Sequence, residues 1–432
     1  MTSDSTRAGA SRSVDGMAST DTATTVEPTG HGISRGLVAL FALTAGVTVS
    51  AIYCLQPLLE DIRTDFDISS STTSLVVTAP QLGYALGLLL LVPLGDRLNR
   101  RVFAPLLMLA SAVALFLSGI SPGFPMLLVA SFAVGVFAAT AQVVVPWSSS
   151  LAAPAERGRV VGTVMSGLLI GILLARVVSG LIAGLGGWRL VLFVASGLMV
   201  ALAVLVFATT PADGPRSTQP YGRLLLSVAT LVREEAVLRH RMALGFLTMF
   251  GFSAMWTSVA FLLAGSRGED YHFSETVIGL FGLAGAAGAA GAPLVGRLAD
   301  RGRSRLATTS AWIVIIVGWV FLGWSGVSLI ALVIGLLVFD LGIQASQLSN
   351  QTAIYALAPD ARSRVTTAYM VTYFLGAVAG SVCSGVAYEA GGWLAVCGIG
   401  VAAAVVGISL WGLFDHLERR TAAVAPEGVV TG

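Results

Sequence analysis

The sequence of 432 residues contains no lysine, so all 25 of its basic residues are arginines. A nucleotide-binding P-loop of the usual kind needs a lysine beside its glycines to reach the phosphates. The chain therefore lacks that route to ATP hydrolysis. Charged residues of both signs are also scarce, at 11% of the chain, whereas soluble domains contain roughly 25%.

Cysteine is rare as well, with three residues that lie in or beside apolar stretches: Cys54, Cys383 and Cys397. They are too few and too scattered to build a disulfide framework or a metal cluster. We interpret them as small core residues. The sequence accordingly predicts neither a bound metal nor a cofactor.

The four histidines all fall outside the apolar stretches: His31, His240, His272 and His416. This matters for Gly119, Ser121 and Gly123, which match the Gly-x-Ser-x-Gly pattern of hydrolases. That pattern needs a preceding strand and a base beside the serine. Neither is available here, so the match predicts no enzyme.

Apolar residues make up 55% of the chain, and the mean hydropathy is +0.84. A membrane-spanning helix needs ~20 mostly apolar residues. By that criterion the sequence predicts an all-α membrane protein with twelve spans, at 36–58, 74–94, 102–120, 124–150, 160–185, 189–210, 242–265, 276–296, 305–325, 327–356, 366–388 and 393–414.

The long connection at 211–241 divides the spans six and six. The sequence thus predicts two six-helix bundles, over 36–210 and 242–420. The polar composition of 1–35 predicts a disordered tail, because it lacks apolar periodicity and the features of a signal peptide. A second short tail is expected at 421–432.

The two halves share a repeat. VPLGDRLNRRVF at 92–103 carries Asp96, Arg97, Arg100 and Arg101, and VGRLADRGRSRLA at 295–307 carries Asp300 and Arg301. The aspartates lie 204 residues apart, and Gly187-Trp188 recurs as Gly392-Trp393. Pseudo-symmetric halves of this kind are typical of secondary transporters. We expect the two charged loops to act as a gate, since their contacts can form in one conformation and break in another. Simple interface anchoring by arginine is the alternative.

Arginine placement predicts that both termini and the 211–241 connection are cytoplasmic. In that orientation 21 arginines face the cytoplasm, Arg63, Arg189 and Arg267 face outside, and Arg176 is within the membrane. This distribution satisfies the positive-inside rule. The abundance of Ala, Gly, Val and Arg indicates a GC-rich bacterium and hence the cell membrane.

Arg176 and Asp340 are the two charges that fall inside predicted spans. Each costs at least ~2.5 kcal/mol at the centre of a span, so each should face protein or water. Both are predicted roughly 24 Å from the cytoplasmic face. Either they form a structural ion pair that locks two helices, or they form a protonatable or substrate-binding centre. We favour Asp340 as the proton-coupling group and Arg176 as its partner.

A polar stripe continues from Asp340 along the tenth span, with Gln344, Gln347 and Gln351 at helical spacing. Such a stripe indicates a cavity or an interhelical hydrogen-bond seam. Gln142 is the repeat position of Gln347. Further candidate cavity residues on the first and seventh spans are Tyr53, Gln56 and Trp256.

These features together resemble the major facilitator superfamily over ~36–420. The family loop signature is matched by Asp96, Arg97, Arg100 and Arg101, whereas Val92 and Asn99 stand where the family has glycine. YCLQPLL at 53–59 and FDLGIQASQ at 339–347 further resemble the bacterial drug and sugar efflux branch. Two features of proton-driven drug exporters are missing, because Ser131 replaces an arginine and Ile172 replaces a proline.

The resemblance implies a monomeric secondary transporter that exports a small organic molecule in exchange for protons across the bilayer. It implies no nucleic-acid partner. Proton-coupled uptake of a metabolite by the same fold stays open. So does a transporter-like sensor that binds a ligand without moving it.

Overall fold

The computed structural model describes residues 33–211, 220–267, 271–285, 304–326, 328–357 and 362–424, where the regular structure is helical. Its α-helices are α1 Arg35–Ser50, α2 Leu59–Phe66, α3 Ser70–Gly95, α4 Arg100–Gly119, α5 Phe124–Ala138, α6 Thr140–Leu151, α7 Arg157–Thr209, α8 Tyr221–Glu234, α9 Ala236–Ala264, α10 Glu275–Leu280, α11 Ser304–Gly323, α12 Leu329–Leu357 and α13 Arg362–Val424.

Eight helical stretches in the described ranges are long and apolar enough to cross a membrane. Two of them, within α7 and α13, hold two predicted spans each, and α1 adds a shorter apolar helix. The predicted eighth span begins with α10, but most of it falls in 286–303, outside the described residues. An all-helical membrane fold is therefore confirmed, whereas the count of twelve spans stays a prediction.

The break inside α7 is a two-glycine hairpin. Gly186 and Gly187 leave helical geometry, and Gly187 has a φ of 76°, which side chains with a Cβ rarely adopt. Gly391 and Gly392 repeat this break in α13, with Gly392 at a φ of 64°. The repeated Gly-Trp pair of the sequence thus marks the turn of one hairpin in each half.

The first predicted span, 36–58, is not one continuous helix. α1 ends at Ser50, turns follow, and a 3-10 helix covers Gln56–Leu58 before α2 begins. Pro57 favours the interruption because it has no backbone N–H to donate within a helix. The consequence is that Tyr53 and Gln56 project from irregular backbone.

The central connection is shorter than predicted. It contains the helix α8, and α9 already begins at Ala236, before the predicted start at residue 242. In the sequence, polar and charged residues such as Arg239 and Arg241 hide this early start. Residues 212–219 lie outside the described ranges.

The bundle has two chemically different ends. We call the end with the Asp96–Arg101 loop the basic end, and the end with α2 and the start of α10 the acidic end, since Glu60, Asp61 and Glu275 lie there. The N-terminal half meets the C-terminal half where α3 packs on α13 and where α7 packs on α10. Lipid is expected against the large exposed apolar side chains of α4 and α7, such as Leu106 and Leu185.

Candidate functional site

Arg176 lies in the interior of α7 with 2% of its surface exposed. Its Nε donates a hydrogen bond to Oε1 of Gln56 at 2.8 Å. Its guanidinium stands 4.0 Å from the ring centroid of Trp256, and the rings of Tyr53 and Phe252 lie at 5.4 and 5.6 Å. Three aromatic faces therefore hold the cation through their ring quadrupoles.

Asp340 lies on α12 in the C-terminal half with 3% of its surface exposed. Its Oδ1 accepts a hydrogen bond from Nε1 of Trp256 at 3.4 Å. The same indole thus contacts the guanidinium with its face and the carboxylate with its edge. The two charges predicted to lie at one depth do meet at Trp256, but no salt bridge within 4.0 Å joins them in the described structure.

Three polar atoms of this centre have no hydrogen-bond partner among the described residues: Arg176 Nη2, Gln56 Nε2 and Asp340 Oδ2. Buried polar groups are hydrogen-bonded in the great majority of cases, and each exception calls for an explanation. Two donors and one acceptor are thus left at one buried place. We call Arg176, Gln56, Trp256 and Asp340 the charged centre.

Glycines of the predicted eighth span border the charged centre. A Cβ on Gly282 would lie 2.9 Å from Cβ of Arg176, and a Cβ on Gly285 would lie 3.1 Å from Oδ2 of Asp340. Larger residues at these positions would press on both charged side chains. The glycines therefore preserve the geometry of the centre.

The glutamines of α12 take different places. Oε1 of Gln347 accepts a hydrogen bond from the hydroxyl of Tyr369 at 2.9 Å, which ties α12 to α13. Gln344 and Gln351 are half-buried. A cavity-lining role for all three stays a prediction.

An aromatic layer lies between the charged centre and the basic end. Tyr84 of α3 meets Phe374 of α13 edge-on, with ring centroids 4.5 Å apart. Tyr373 packs on Phe374 at 5.8 Å and on Tyr369 at 5.8 Å. Because the Tyr84–Phe374 contact joins the two halves, this layer closes the path from the basic end to the charged centre.

A cavity of about 360 Å³ lies on the basic side of the aromatic layer. Both halves line it, with Gln142 and Pro146 from α6 and Thr366 and Met370 from α13. Nε2 of Gln142 donates to the Tyr84 hydroxyl at 3.4 Å. Gln142, predicted from the repeat, therefore reaches both the cavity and the layer that closes it.

The charged loop stands at the mouth of this cavity. Asp96 pairs with Nη2 of Arg100 at 2.6 Å, and both line the cavity. Nε of Arg101 donates to the backbone oxygen of Phe207 at 3.2 Å, which fastens the loop to the end of α7. Arg97 is half-exposed. Asp300 and Arg301 of the second copy lie outside the described residues.

The acidic end closes the halves against each other. The Ser266 hydroxyl donates to Oε2 of Glu60 at 2.5 Å, and the backbone N–H of Ser71 donates to Oε2 of Glu389 at 3.2 Å. Thr276 donates to the backbone oxygen of Gly180 at 3.1 Å. Each of these bonds joins a residue of the N-terminal half to one of the C-terminal half.

The seam between α3 and α13 contains polar residues that the sequence reasoning missed. Gln81, fully buried, donates from Nε2 to Ser253 at 3.0 Å and accepts from Ser381 at 3.4 Å. Thr78 and Ser381 are bonded hydroxyl to hydroxyl at 2.7 Å. The signal available in the sequence was Gln81, an amide within an apolar run. The repeat offset of 205 residues also relates Ser381 to Arg176.

The chain matches the family model described as Major Facilitator Superfamily, over residues 41–381 and 242–429. It is 44% identical to "Uncharacterized transporter YgaY" of Escherichia coli O157:H7, over 90% of this chain and 98% of that protein. It is 33% identical to "Probable transporter SCO4007" of Streptomyces coelicolor, over 88% of this chain and 89% of that protein.

Solved structures share the fold at low identity. A bacterial homolog of the human lysosomal transporter Spinster, in an inward-facing and occupied conformation, superposes with a TM-score of 0.74 at 15% identity, over 88% of this chain and 96% of that one. The nucleoside transporter NupG, solved as a point mutant, superposes with a TM-score of 0.68 at 14% identity, over 86% of this chain and 99% of that one.

Proposed function

Because the chain belongs to the major facilitator superfamily, we propose that it exports a small organic compound in exchange for protons. Its homologues are transporters and not enzymes, so the Gly119–Gly123 match to hydrolases is coincidental. It is a multi-pass membrane protein that acts on a small molecule. The finer points proposed here are the coupling ion, the direction and the orientation.

The charged centre is the observation that carries the proposal. Arg176 and Gln56 come from the N-terminal half, whereas Trp256 and Asp340 come from the C-terminal half. Any movement of one half against the other changes the distance between the guanidinium and the carboxylate. A conformational change is thereby linked to the local electrostatic field.

That link can drive proton exchange at Asp340. A buried carboxylate without a counter-charge favours its neutral form, whereas a nearby guanidinium favours its ionised form. Approach of Arg176 would release a proton, and its withdrawal would bind one. If the substrate competes with the proton for Oδ2 of Asp340, the transporter must carry the two in opposite directions.

Two observations support a basic end that faces the cytoplasm. Of the described segments that the positive-inside rule places in the cytoplasm, the Asp96–Arg101 loop and α8 lie at this end. A cavity that both halves line also lies at this end. We propose that the protein acts in the cell membrane with both termini inside.

Single cysteines test this orientation. In a background without Cys54, Cys383 and Cys397, cysteines at Ser217 and Ser266 should react with an impermeant maleimide from opposite sides of intact cells. Ser266 should be the external one, and the reagent should reach it more slowly while the acidic end is closed. Labelling of both from outside would contradict the topology.

Proton coupling is tested in proteoliposomes with a pH gradient, by following proton flux during substrate transport. Asp340→Asn should abolish gradient-driven transport and leave counterflow partly intact, because an amide cannot release the proton. Equal proton-coupled flux in wild type and Asp340→Asn would remove Asp340 from the mechanism. A purely structural pair would instead give misfolded single variants that the exchange of Arg176→Asp with Asp340→Arg restores.

Two other functions make different predictions for the same vesicles. Proton-coupled uptake would give substrate and proton movement in the same direction. A sensor would bind its ligand with no flux in either direction. The charged centre combines residues from both halves of the protein, which favours a transporter whose halves move against each other. A fixed receptor has no need to divide these charges between two bundles.

A further inference from the structure

We propose that the charged centre recognises an amphoteric substrate, a small molecule with one carboxylate and one protonated amine. The carboxylate would bind Arg176 and Gln56, and the ammonium would bind Asp340. This inference rests on the proposed function, because it takes the charged centre to be the translocation site. It adds the chemical class of what is moved.

The carboxylate side of the site is built from two donors on side chains that a hydrogen bond joins. The bond from Arg176 Nε to Gln56 Oε1 fixes the two side chains against each other. The atoms that remain, Arg176 Nη2 and Gln56 Nε2, are buried donors without partners in the described structure. A guanidinium nitrogen beside an amide nitrogen suits the two oxygens of a carboxylate.

The ammonium side of the site is the second oxygen of Asp340. Trp256 occupies Oδ1 and leaves Oδ2 buried, with no partner among the described residues. An ionised carboxylate only accepts hydrogen bonds, so its natural ligand is a donor that carries positive charge.

Trp256 sets the distance between the two charges of the substrate. Its ring centroid lies 4.0 Å from Cζ of Arg176, and its Nε1 lies 3.4 Å from Oδ1 of Asp340. One indole therefore separates the protein's cation from its anion. A substrate that bridges them needs its amine and carboxylate only a few bonds apart, as in α-, β- or γ-amino acids.

A substrate with a single charge would leave one side of the site unpaired. A cation would pair with Asp340 but lie close to Arg176, which has no carboxylate within salt-bridge distance in the described ranges. An anion would pair with Arg176 and add its negative charge to that of Asp340. Burying an unpaired charge is costly, so the centre should discriminate against both.

The experiment uses purified wild-type protein and four chemical triads in a thermal-shift titration. Each triad contains a zwitterion, its methyl ester and its N-acetyl derivative, built on leucine, phenylalanine, β-alanine and 4-aminobutyrate. At least one zwitterion should stabilise the protein, with its ester and its N-acetyl derivative binding roughly 10- to 100-fold more weakly. Absence of a shift with all four zwitterions, or ester binding equal to the zwitterion, would overturn the inference.

Variants assign each substrate group to its protein partner. Arg176→Gln should erase the preference for the zwitterion over its ester, and Asp340→Asn should erase the preference over the N-acetyl derivative. Arg241→Gln is the matched control, since Arg241 is also a buried arginine but bonds Thr308 and Asn350. It should lower the melting temperature and keep both preferences. If Arg176→Gln misfolds, Arg176→Lys should fold and keep only part of the preference for the zwitterion over its ester, because lysine keeps the charge without the second guanidinium nitrogen. An undiminished preference in Arg176→Lys would contradict a bidentate contact.

Failure of this inference differs from failure of the proposed function. Zwitterion selectivity in a protein whose Asp340→Asn variant keeps proton-coupled flux would refute the coupling role alone. Proton-coupled flux of another compound, without zwitterion selectivity at Arg176, would refute the substrate class alone.

Discussion

The acidic and basic ends of the interface between the halves are built differently. At the acidic end the halves are joined by hydrogen bonds such as Ser266–Glu60 and Ser71–Glu389. At the basic end both halves line a cavity of about 360 Å³, and the Asp96–Arg100 pair lies within a single half.

The difference indicates which contacts change during transport. Bonds that join the halves must break when the acidic end opens, whereas the basic-end loop can keep its internal pair in both states. The Tyr84–Phe374 contact lies between the two ends and separates the cavity from the charged centre. In the conformation described, the halves are therefore in contact at the acidic end, whereas a cavity at the basic end extends up to the aromatic layer.

The largest expected effect comes from a wedge at the acidic end. A Cβ on Gly180 would collide with the backbone oxygen of Glu275, so Gly180→Ala cannot close this contact without backbone movement. Overpacking of this kind should shift the equilibrium toward the open acidic end roughly 10-fold or more. A cysteine at the buried Ser74 should report it through faster labelling by maleimide.

Gly197→Ala, in the second span of α7 beyond the Gly186–Gly187 break, is the matched control, because a Cβ there meets no atom within 4 Å. It should leave the labelling rate at Ser74→Cys unchanged. Equal rates for Gly180→Ala and the wild type would show that the α7–α10 contact does not close the acidic end.

A smaller effect is expected from the polar seam. Gln81→Leu removes the partner of Ser253 and one partner of Ser381, which should cost the closed state about 1–3 kcal/mol. The melting temperature should fall and Ser74→Cys labelling should rise together. Thr78→Val, which removes one hydroxyl, should do the same more weakly. A lower melting temperature with unchanged labelling would make the seam structural only.

The acidic end should also respond to pH through Asp61, which lies beyond the first predicted span. Burial, followed by a hydrogen bond with Glu275 of the other half, raises the pKa of Asp61 from 3.8 to about 7. Glu60 and Asp65 of α2 act in the same direction. Arg63 pairs with Glu60, and Arg189 pairs with Asp65. Other charged or titratable groups described at this end are Asp67, Arg267, His272 and Glu389.

The direction of this pH effect follows from the protonated state of Asp61. A proton shared with Glu275 favours the closed end, so this contribution is full below about pH 4 and is lost as the pH rises toward 7. After correction for the thiolate fraction, Ser74→Cys labelling should therefore accelerate between about pH 4 and pH 7, and Asp61→Asn should flatten that change. A corrected wild-type rate that is independent of pH would contradict the shared proton.

The smallest effect on stability is expected at the basic end. The Asp96 side chain is 43% exposed, so Asp96→Asn should change the free energy of unfolding by no more than about 1 kcal/mol. We still expect slower transport, because the loop lines the cavity mouth. Asp300→Asn should act similarly or more mildly. Unchanged transport in both variants would count against a gating role.

Much of the fold could be predicted from the sequence, because the length of each apolar run and the internal repeat are both visible in the order of the residues. The Gly187-Trp188 repeat even marked the hairpin turns. The interruption after Ser50 was missed, since an apolar run of span length carries no sign of a break except Pro57. The start of α9 was missed because Arg239 and Arg241 look like loop residues, although Arg241 is buried against Trp411.

The candidate site was predicted in part. Span depth placed Arg176 and Asp340 at one level, but it could not show Trp256 between them, because lateral position depends on how the helices pack. Periodicity put Gln347 on the same face as Asp340, whereas its bond to Tyr369 depends on a neighbouring helix. Gln81 and Ser381 looked like ordinary polar residues in apolar runs until the two halves were seen together.

The two-glycine turns at Gly187 and Gly392 connect the two helices of each hairpin with almost no additional loop residues. Trp188 donates to Asp65 at 3.3 Å, and Trp393 donates to the backbone oxygen of Leu322 at 2.7 Å, so each turn is anchored to its own half just after the bend. The two spans on either side of each turn should therefore move together as one rigid body. Epitope tags or inserted domains at these two turns should be tolerated poorly, even though both turns lie at a membrane surface.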